Sequence, residues 1–390
     1  MKKTILIIQG SLEIGGTEVH MSRILPHLVQ SGWIITIFLI SCRGPLANRL
    51  EQDGIKLTGP GAKLYSSSPN FIARGIKIVQ TFILLTIHLI RHRPSIVHSF
   101  LPEAYVIGGL CAWWTRSKIF IMSRRSLNYY QRSHQILHQF ELLLHSQTRY
   151  FLANSKAVEL DLQNEGVDLN RIKCIYNAIN AKDVEKNIKK YNRSSVREKY
   201  NISDNSLVLL KVANLIAYKG HVDLLNVLAT IGEDLPEDWC LVCAGRDDGL
   251  LPRLQSIATE NQIAHHIHWL GEVDNIFELL AAADIALLCS HEEGFPNVVL
   301  EYMAAELPVI ASDAGGVPEI ITHDVNGKIF PVHNLGQLAS FLTELCNDRE
   351  QCIELGRAGK EEVTSAFTEE KCVNEYIKIY EQLLEEKTRK

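Results

Sequence analysis

No stretch of this 390-residue chain is both long and apolar enough to span a bilayer. The most apolar run, Ile78 to Ile90 (IVQTFILLTIHLI), falls short of the roughly 20 residues that a spanning helix needs. It is flanked by Arg74, Lys77, Arg91 and Arg93 and reads as a buried helix. Low-complexity segments and short-period repeats are missing, which sets aside disordered, fibrous and solenoid architectures. Cysteine is sparse and scattered: nine residues, an odd number, suit a reducing compartment better than a disulfide framework. Cys240 and Cys243 form a C-x-x-C, but inside the strand-like Trp239–Ala244, where residues three apart point to opposite faces. That spacing argues against a redox or zinc pair. No metal-ligand cluster is apparent, and no nucleic-acid motif accompanies the basic residues. The start, Met1 to Gly10, has lysines but too short an apolar core for a secretory signal, and reads as the first strand of a sheet.

What is present is the composition of a globular α/β protein. The length implies two domains, and the chain is 46% apolar and 22% charged. Its net charge of −5 hides an asymmetry. Residues 1–183 carry 21 Lys and Arg against 11 Asp and Glu, net +10, while the remainder carries 19 against 34, net −15. Between Phe71 and Arg149 ten basic residues face only Glu103 and Glu141. A basic half of this kind is drawn to an anionic surface such as a cytoplasmic leaflet or a phosphate-linked lipid.

Short apolar runs alternate with helix-compatible segments, the pattern of parallel sheets wrapped by helices. In the first half Thr4–Gln9, Trp33–Ile40, Ile96–Phe100, Lys118–Met122 and Tyr150–Asn154 read as strands, and Thr17–Ser31 as a helix. The second half restarts with strands Leu207–Ala213, Cys240–Ala244, Ile267–Trp269, Ile285–Cys289 and Val309–Ala311. Its helices are His221–Ile231, Ile276–Ala282 and Val298–Glu306. The polar segment 181–205 reads as the linker between a domain at 1–180 and one at 206–367. Thr368 to Glu386 is helical in pattern.

The densest chemistry lies in Ser290-His291-Glu292-Glu293-Gly294-Phe295-Pro296-Asn297-Val298-Val299-Leu300-Glu301. A strand, a tight turn and a helix that opens near proline make an elbow. Such an elbow aims backbone N–H groups and the positive helix end at an anion, most often a phosphate. Glu293 lies in the elbow and Glu301 about one turn into the helix. A carboxylate there repels phosphate but suits the hydroxyls of a ribose or hexose, so the local chemistry points to a sugar nucleotide. Ile14-Gly15-Gly16-Thr17-Glu18 opens a helix after the first strand, where glycines let a backbone approach a ligand. Lys219, just before Gly220 at the mouth of a helix, is a point charge placed for a diphosphate.

The run Glu293 to Glu301, followed by Met303-Ala304-Ala305-Glu306-Leu307-Pro308-Val309-Ile310 and Gly315-Gly316-Val317-Pro318-Glu319, resembles the retaining GT-B glycosyltransferases of family 4. The resemblance covers nearly the whole chain and is densest from Leu207 to Ile321. It implies two Rossmann-like domains with parallel sheets facing across a cleft, and a last helix (368–390) that crosses back to the N-terminal domain. It implies transfer of a sugar from a nucleotide diphosphate donor with retention, no metal and no cofactor. Glu301 would hold the ribose and Glu293 the donor sugar hydroxyls. Lys219 and N–H groups at Phe295, Pro296 and Asn297 would neutralise the leaving diphosphate. The loop at Gly15 and Gly16 would face donor phosphates or the acceptor, and Gly245-Arg246 the nucleotide. Asn154-Ser155 has the capping residues of a helix start and reads as structural.

Two departures stand out. Relatives commonly carry an Arg a few residues before the Lys, where this chain has Asn214, so the charge passes to Arg246 or to Arg124 and Arg125. Relatives also place a His in the loop that holds Arg124 and Arg125; here those arginines would hold an acceptor phosphate, with His98 nearby. The acceptor implied is a saccharide or a lipid-linked saccharide of cell-surface polysaccharide or lipopolysaccharide assembly. The protein is expected in the cytoplasm, peripheral on the inner face of the membrane. A sugar-nucleotide hydrolase or epimerase, and a degenerate binding protein, are the alternatives.

Overall fold

The computed structural model describes residues 3–63 and 71–388. Contacts divide the chain into two compact units, one of residues 1–178 with 369–390 and one of residues 179–368. The first alternates β1 (Thr4–Ser11), α1 (Gly16–Gln30), β2 (Ile34–Cys42), α2 (Ala47–Gln52), β3 (Lys56–Thr58), α3 (Phe71–His92) and β4 (Ile96–Phe100). It continues with α4 (Pro102–Trp114), β5 (Phe120–Arg124), α5 (Tyr130–Ser133), α6 (Gln135–His145), β6 (Tyr150–Ala153), α7 (Lys156–Asn164) and β7 (Ile172–Cys174). All seven strands are parallel, in the order β3-β2-β1-β4-β5-β6-β7.

A parallel sheet needs helices on both faces, so its strands are apolar on both sides. One core places Ile5, Ile7, Ile37 and Ile121 against α1 and against Tyr376, Tyr380 and Leu383 of the chain's last helix. The other sets Leu6, Ile8, Val97 and Met122 against Leu85 and Leu89 of α3, Tyr105 of α4 and Leu144 of α6. The Ile78–Ile90 run is therefore helical but not buried all round. Leu85 and Leu89 face the core, while Ile83, Ile87 and Ile90 face solvent, which corrects the expectation of a buried helix.

The second unit begins with α8 (Ala181–Ile188) and α9 (Arg193–Lys199), then β8 (Leu207–Val212), α10 (His221–Ile231), β9 (Trp239–Ala244), α11 (Leu251–Glu260) and β10 (Ile267–Gly271). It goes on through α12 (Phe277–Ala282), β11 (Ile285–Leu288), α13 (Asn297–Ala304), β12 (Val309–Ser312), β13 (Lys328–Phe330), α14 (Leu335–Asn347) and α15 (Arg349–Ala366). Its six parallel strands run β10-β9-β8-β11-β12-β13. The last helix, α16 (Glu369–Thr388), packs against α1 of the first unit.

The segment 181–205 is not a linker. Its charged residues form α8 and α9, which pack on α12 inside the second unit. Asn180 and Asn192 cap the two helices by accepting from the Asp183 and Ser195 N–H groups. Buried Arg197 holds α9 in place: its guanidinium donates to the carbonyls of Ala282 (2.9 Å), Asp204 (2.7 Å) and Ser206 (2.9 Å) and to Asp284 (2.8 Å). The segment's polarity suggested a linker, but one planar donor fork satisfies the carbonyls of two loops at once and anchors it. Arg197→Leu strands those buried acceptors and is expected to cost the second unit about 2–4 kcal/mol. Arg197→Lys, lacking the fork, should recover less than half of that, read from urea unfolding midpoints.

Candidate active site

In the second unit the C-terminal ends of adjacent strands β9, β8, β11 and β12 deliver the predicted residues to one edge of the sheet. The β8 loop carries Asn214 and then Lys219, and Gly220 turns the chain into α10 with φ +67°. A Cβ at Gly220 would lie 1.8 Å from the Cys289 carbonyl oxygen, so only glycine lets this turn sit against the end of β11. The His291 N–H donates to the Tyr218 carbonyl at 2.7 Å and binds the two loops edge to edge. Gly316 N–H donates to the Gly294 carbonyl at 3.2 Å, tying the loop after β12 to the same elbow.

This packing brings Lys219 Nζ to 2.7 Å from Glu293 Oε1. Both side chains are largely withdrawn from water. Burial alone would pull the Lys219 ammonium down, but the neighbouring Glu293 carboxylate prevails and holds it above the usual lysine range. Lys219 is therefore a fixed positive charge. Pro296 precedes α13 as its N-cap with extended backbone, and Phe295 beside it is buried. Proline has no amide hydrogen, so Pro296 shapes the elbow without donating, which corrects its expected role as an N–H donor. Phe295 and Asn297 each bring an amide N–H to the elbow. Glu301 lies one turn inside α13 and is half-buried.

The β9 loop closes the edge from the other side. Gly245, with φ +152°, passes so close to β8 that a Cβ would meet the Ala213 carbonyl oxygen at 2.2 Å. Asn214 Oδ1 accepts from the Arg246 N–H at 3.2 Å, so Asn214 ties two loops together where an arginine would have brought charge. The Arg246 guanidinium turns to Asp248, 3.0 Å away.

Sequence reasoning passed over two features of this edge. Lys211, in the middle of β8, is fully buried, and its Nζ has no partner among the described residues. The buried ring of His221 and the Ser290 hydroxyl are likewise unpartnered there. Burial pulls Lys211 below the usual lysine range, and burial with Lys211 and Lys219 nearby pushes His221 down to about 2. A lysine interrupting the apolar Leu207–Val212 was the available signal. The second feature is Asp223, His291 and His333, whose ligand atoms lie within 4.8 Å of one another. His291 Nε2 is 2.7 Å from Asp223 Oδ2, and His333 Nδ1 is 3.8 Å from it. These donor types suit zinc; the three residues stand on separate elements, which is why no spacing in the sequence announced them.

In the first unit Gly15 is the N-cap of α1 in extended conformation, and Gly16 is the helix's first residue. Glu18 folds back over this turn and accepts from Gln9 Nε2 at 2.5 Å. A Cβ at Gly15 would meet the Glu18 carboxylate at 2.5 Å. Burial pushes Glu18 up to about 7, only partly opposed by its hydrogen bonds and Arg125.

Two acceptor-side expectations are corrected. His98 is completely buried and bridges the hydroxyls of Tyr380 and Ser123, both at 2.8 Å, so neither ring nitrogen is left for a ligand. Burial and then Arg125 push its pKa down to about 3, keeping it neutral. Arg124 is the last residue of β5 rather than a loop residue, 0% exposed, with its guanidinium forked onto Glu165 at 3.0 Å. That ion pair belongs to the core and offers no face to a phosphate. Arg125 is also buried and donates to Asn177 Oδ1.

Gly220→Ala should destabilise the second unit by more than about 2 kcal/mol through left-handed strain and the clash with Cys289; chemical denaturation measures it. Glu18 binds its proton more tightly folded than unfolded, so its penalty grows as pH rises from the unfolded pKa toward about 7. Glu18→Gln should therefore stabilise more at pH 8 than at pH 5.5, by about 2 kcal/mol.

Sequence comparison agrees with this geometry. The profile described as Glycosyl transferases group 1 matches residues 192–362, and that described as Glycosyltransferase Family 4 matches residues 14–183. The N-acetyl-alpha-D-glucosaminyl L-malate synthase of Bacillus anthracis is 30% identical over 233 residues, 58% of this chain and 59% of that protein. The N,N'-diacetylbacillosaminyl-diphospho-undecaprenol alpha-1,3-N-acetylgalactosaminyltransferase of Campylobacter jejuni is 27% identical over 262 residues, 65% of this chain and 63% of that one. Matches to such curated relatives thus span between half and two thirds of their length. The crystal structure of Anabaena HepE in complex with UDP-glucose superposes with a TM-score of 0.82 at 19% identity, covering 97% of this chain and 99% of that one. Two parallel-sheet units, the elbow with its glutamates and both profile matches place the chain in the family 4, group 1 glycosyltransferases, with the GT-B fold.

Proposed function

We propose that the protein transfers a sugar from a nucleotide diphosphate donor, with retention at the anomeric carbon, to a saccharide or lipid-linked acceptor. The observation that carries this reading is the Lys219–Glu293 pair at the mouth of the α13 elbow. The leaving diphosphate gains charge as the glycosidic bond breaks. A fixed ammonium and a helix N-terminus already aimed at that charge lower the barrier without reorganising. Lys219 and the elbow amides of Phe295 and Asn297 take this role in place of a metal. Glu293 orients the donor sugar hydroxyls while Glu301 binds the ribose. With leaving group and acceptor on one face of the sugar, a leaving-group oxygen accepts the acceptor proton. The Campylobacter relative, by its name, uses an undecaprenol diphosphate acceptor, and the basic first half of this chain suits a lipid of that charge. We place the reaction in cell-surface polysaccharide or lipopolysaccharide assembly, on the cytoplasmic face of the membrane.

A second reading has one specific support: Asn214 stands where relatives carry a cation, and Arg246 is turned to Asp248. On that reading the protein binds a sugar nucleotide without turning it over. Thermal shifts with UDP-, GDP- and ADP-sugars separate the two readings when paired with an acceptor screen. The transferase is expected to be stabilised by one nucleotide class and to lose that shift in Glu301→Ala. Lys219→Ala should lower kcat by about a hundredfold or more, and proton NMR of the product should show the donor's anomeric configuration. Donor-induced stabilisation without transfer to any acceptor would favour the binding protein.

A further inference from the structure

Three neighbouring helices of the first unit expose apolar side chains where a water-facing layer should be polar. The outer face of α3 presents Ile83, Ile87 and Ile90, each 45–55% exposed, at successive turns of one stripe. Beside it α4 ends in Trp113 and Trp114, the latter 76% exposed. On the far side of α4 the helix α6 turns out Ile136, Phe140 and Leu143, again at helical spacing. The contacts α3–α4 and α4–α6 set the three helices side by side, with α4 between the other two. Isolated exposed leucines are ordinary, but large apolar side chains turned outward on three packed helices at once mark an interaction surface.

Charge identifies the occupant. Each of these helices leads into the next strand of a parallel sheet, so all three end at the same edge. At that edge lie exposed Arg91 and Arg93 after α3, and exposed Arg116 and Lys118 after α4. Acidic residues hardly oppose them. Between residues 77 and 149 the acids are Glu103 and Glu141, and Glu141 is buried, accepting from Tyr130 and Gln131. Arg149 is balanced by Glu386. A second copy of this chain is a poor fit, because a two-fold interface would set the same cations against each other. An anionic bilayer answers every feature. Isoleucine and phenylalanine enter the acyl boundary, tryptophans sit at headgroup depth, and arginines and lysine meet the phosphates. No helix among the described residues is long and apolar enough to cross a membrane, so the association is with its surface.

We infer that the outer face of α3, α4 and α6 docks the protein onto an anionic membrane surface, with Trp113 and Trp114 as interfacial anchors and Arg91, Arg93, Arg116 and Lys118 as headgroup contacts. This deepens the lipid-linked-acceptor reading by naming the surface, and its test is independent of donor chemistry. The full-length protein is floated with vesicles of phosphatidylcholine alone and of phosphatidylcholine containing phosphatidylglycerol. The expected result is binding to the anionic vesicles only, weakened by salt, with a blue shift of tryptophan emission. Trp113→Ser with Trp114→Ser, and separately Arg91→Glu with Arg116→Glu, should each weaken partition at least about tenfold. Unchanged thermal unfolding in both double variants would show that their folds are intact. Equal flotation of the variants, indifference to lipid charge, or no flotation would overturn the inference. So would self-association in sedimentation that the tryptophan variant abolishes, since the face would then be a contact between copies. A protein that floats as expected but shows no donor-induced thermal shift leaves this surface standing and removes the transferase reading alone.

Discussion

Where β8 hands over to α10, the backbone runs against the end of β11 at a distance that no side chain could occupy, and the candidate site is built on that approach. Gly220 brings the turn onto the Cys289 carbonyl. The His291–Tyr218 backbone bond then locks the two loops, and Lys219 is left beside Glu293 with little rotational freedom. A long lysine chain in water spreads over many rotamers; here packing has already removed that entropy. The cation is thus in place before any ligand arrives, as electrostatic preorganisation requires. The same logic explains Gly245, whose close passage over Ala213 brings the β9 loop to the edge.

The two sheets solve one problem with different means at their C-terminal edges. In the second unit, charge stays at that edge: Lys219 pairs with Glu293 in the elbow, and the Lys211 Nζ is without a partner among the described residues. In the first, charge is consumed by the core. Arg124 is clamped by Glu165, itself held down to about 2 because His145 and Arg124 outweigh the burial that pushes it up. His98 is neutral between two hydroxyls. An ion pair buried this completely specifies packing and leaves nothing for a ligand.

Much of this was legible in the chain itself. Alternating apolar runs and helical segments predicted the α/β class, because parallel strands covered on both faces must be apolar throughout. The central strands appeared within about two residues of their expected bounds, while β3, β7 and β13, each three residues long at or near a sheet edge, carry too little pattern to be seen. The elbow was readable because its residues are contiguous. Arg124 was misjudged because a paired arginine and a loop arginine look alike until Glu165, forty-one positions away, is brought beside it. Segment 181–205 read as a linker because it is polar, whereas two capped helices form there and Arg197 anchors the second through backbone carbonyls. Asp223, His291 and His333 converge only through tertiary structure.

The discontinuity of the first unit bears on how the chain is made. Cys372, Val373, Tyr376, Ile379, Tyr380, Leu383 and Leu384 of α16 complete a core whose other members come from residues 5–178. Tyr380 also supplies one of the two hydroxyls that hold His98. During synthesis the first sheet therefore emerges with that face uncovered and waits while the 190 residues of the second unit are translated. The second unit is continuous and can close as soon as it leaves the ribosome. Vectorial folding is thus inverted here. The C-terminal sheet is able to finish first, and the N-terminal one, exposed longest to aggregation or chaperone capture, is completed only by the final helix.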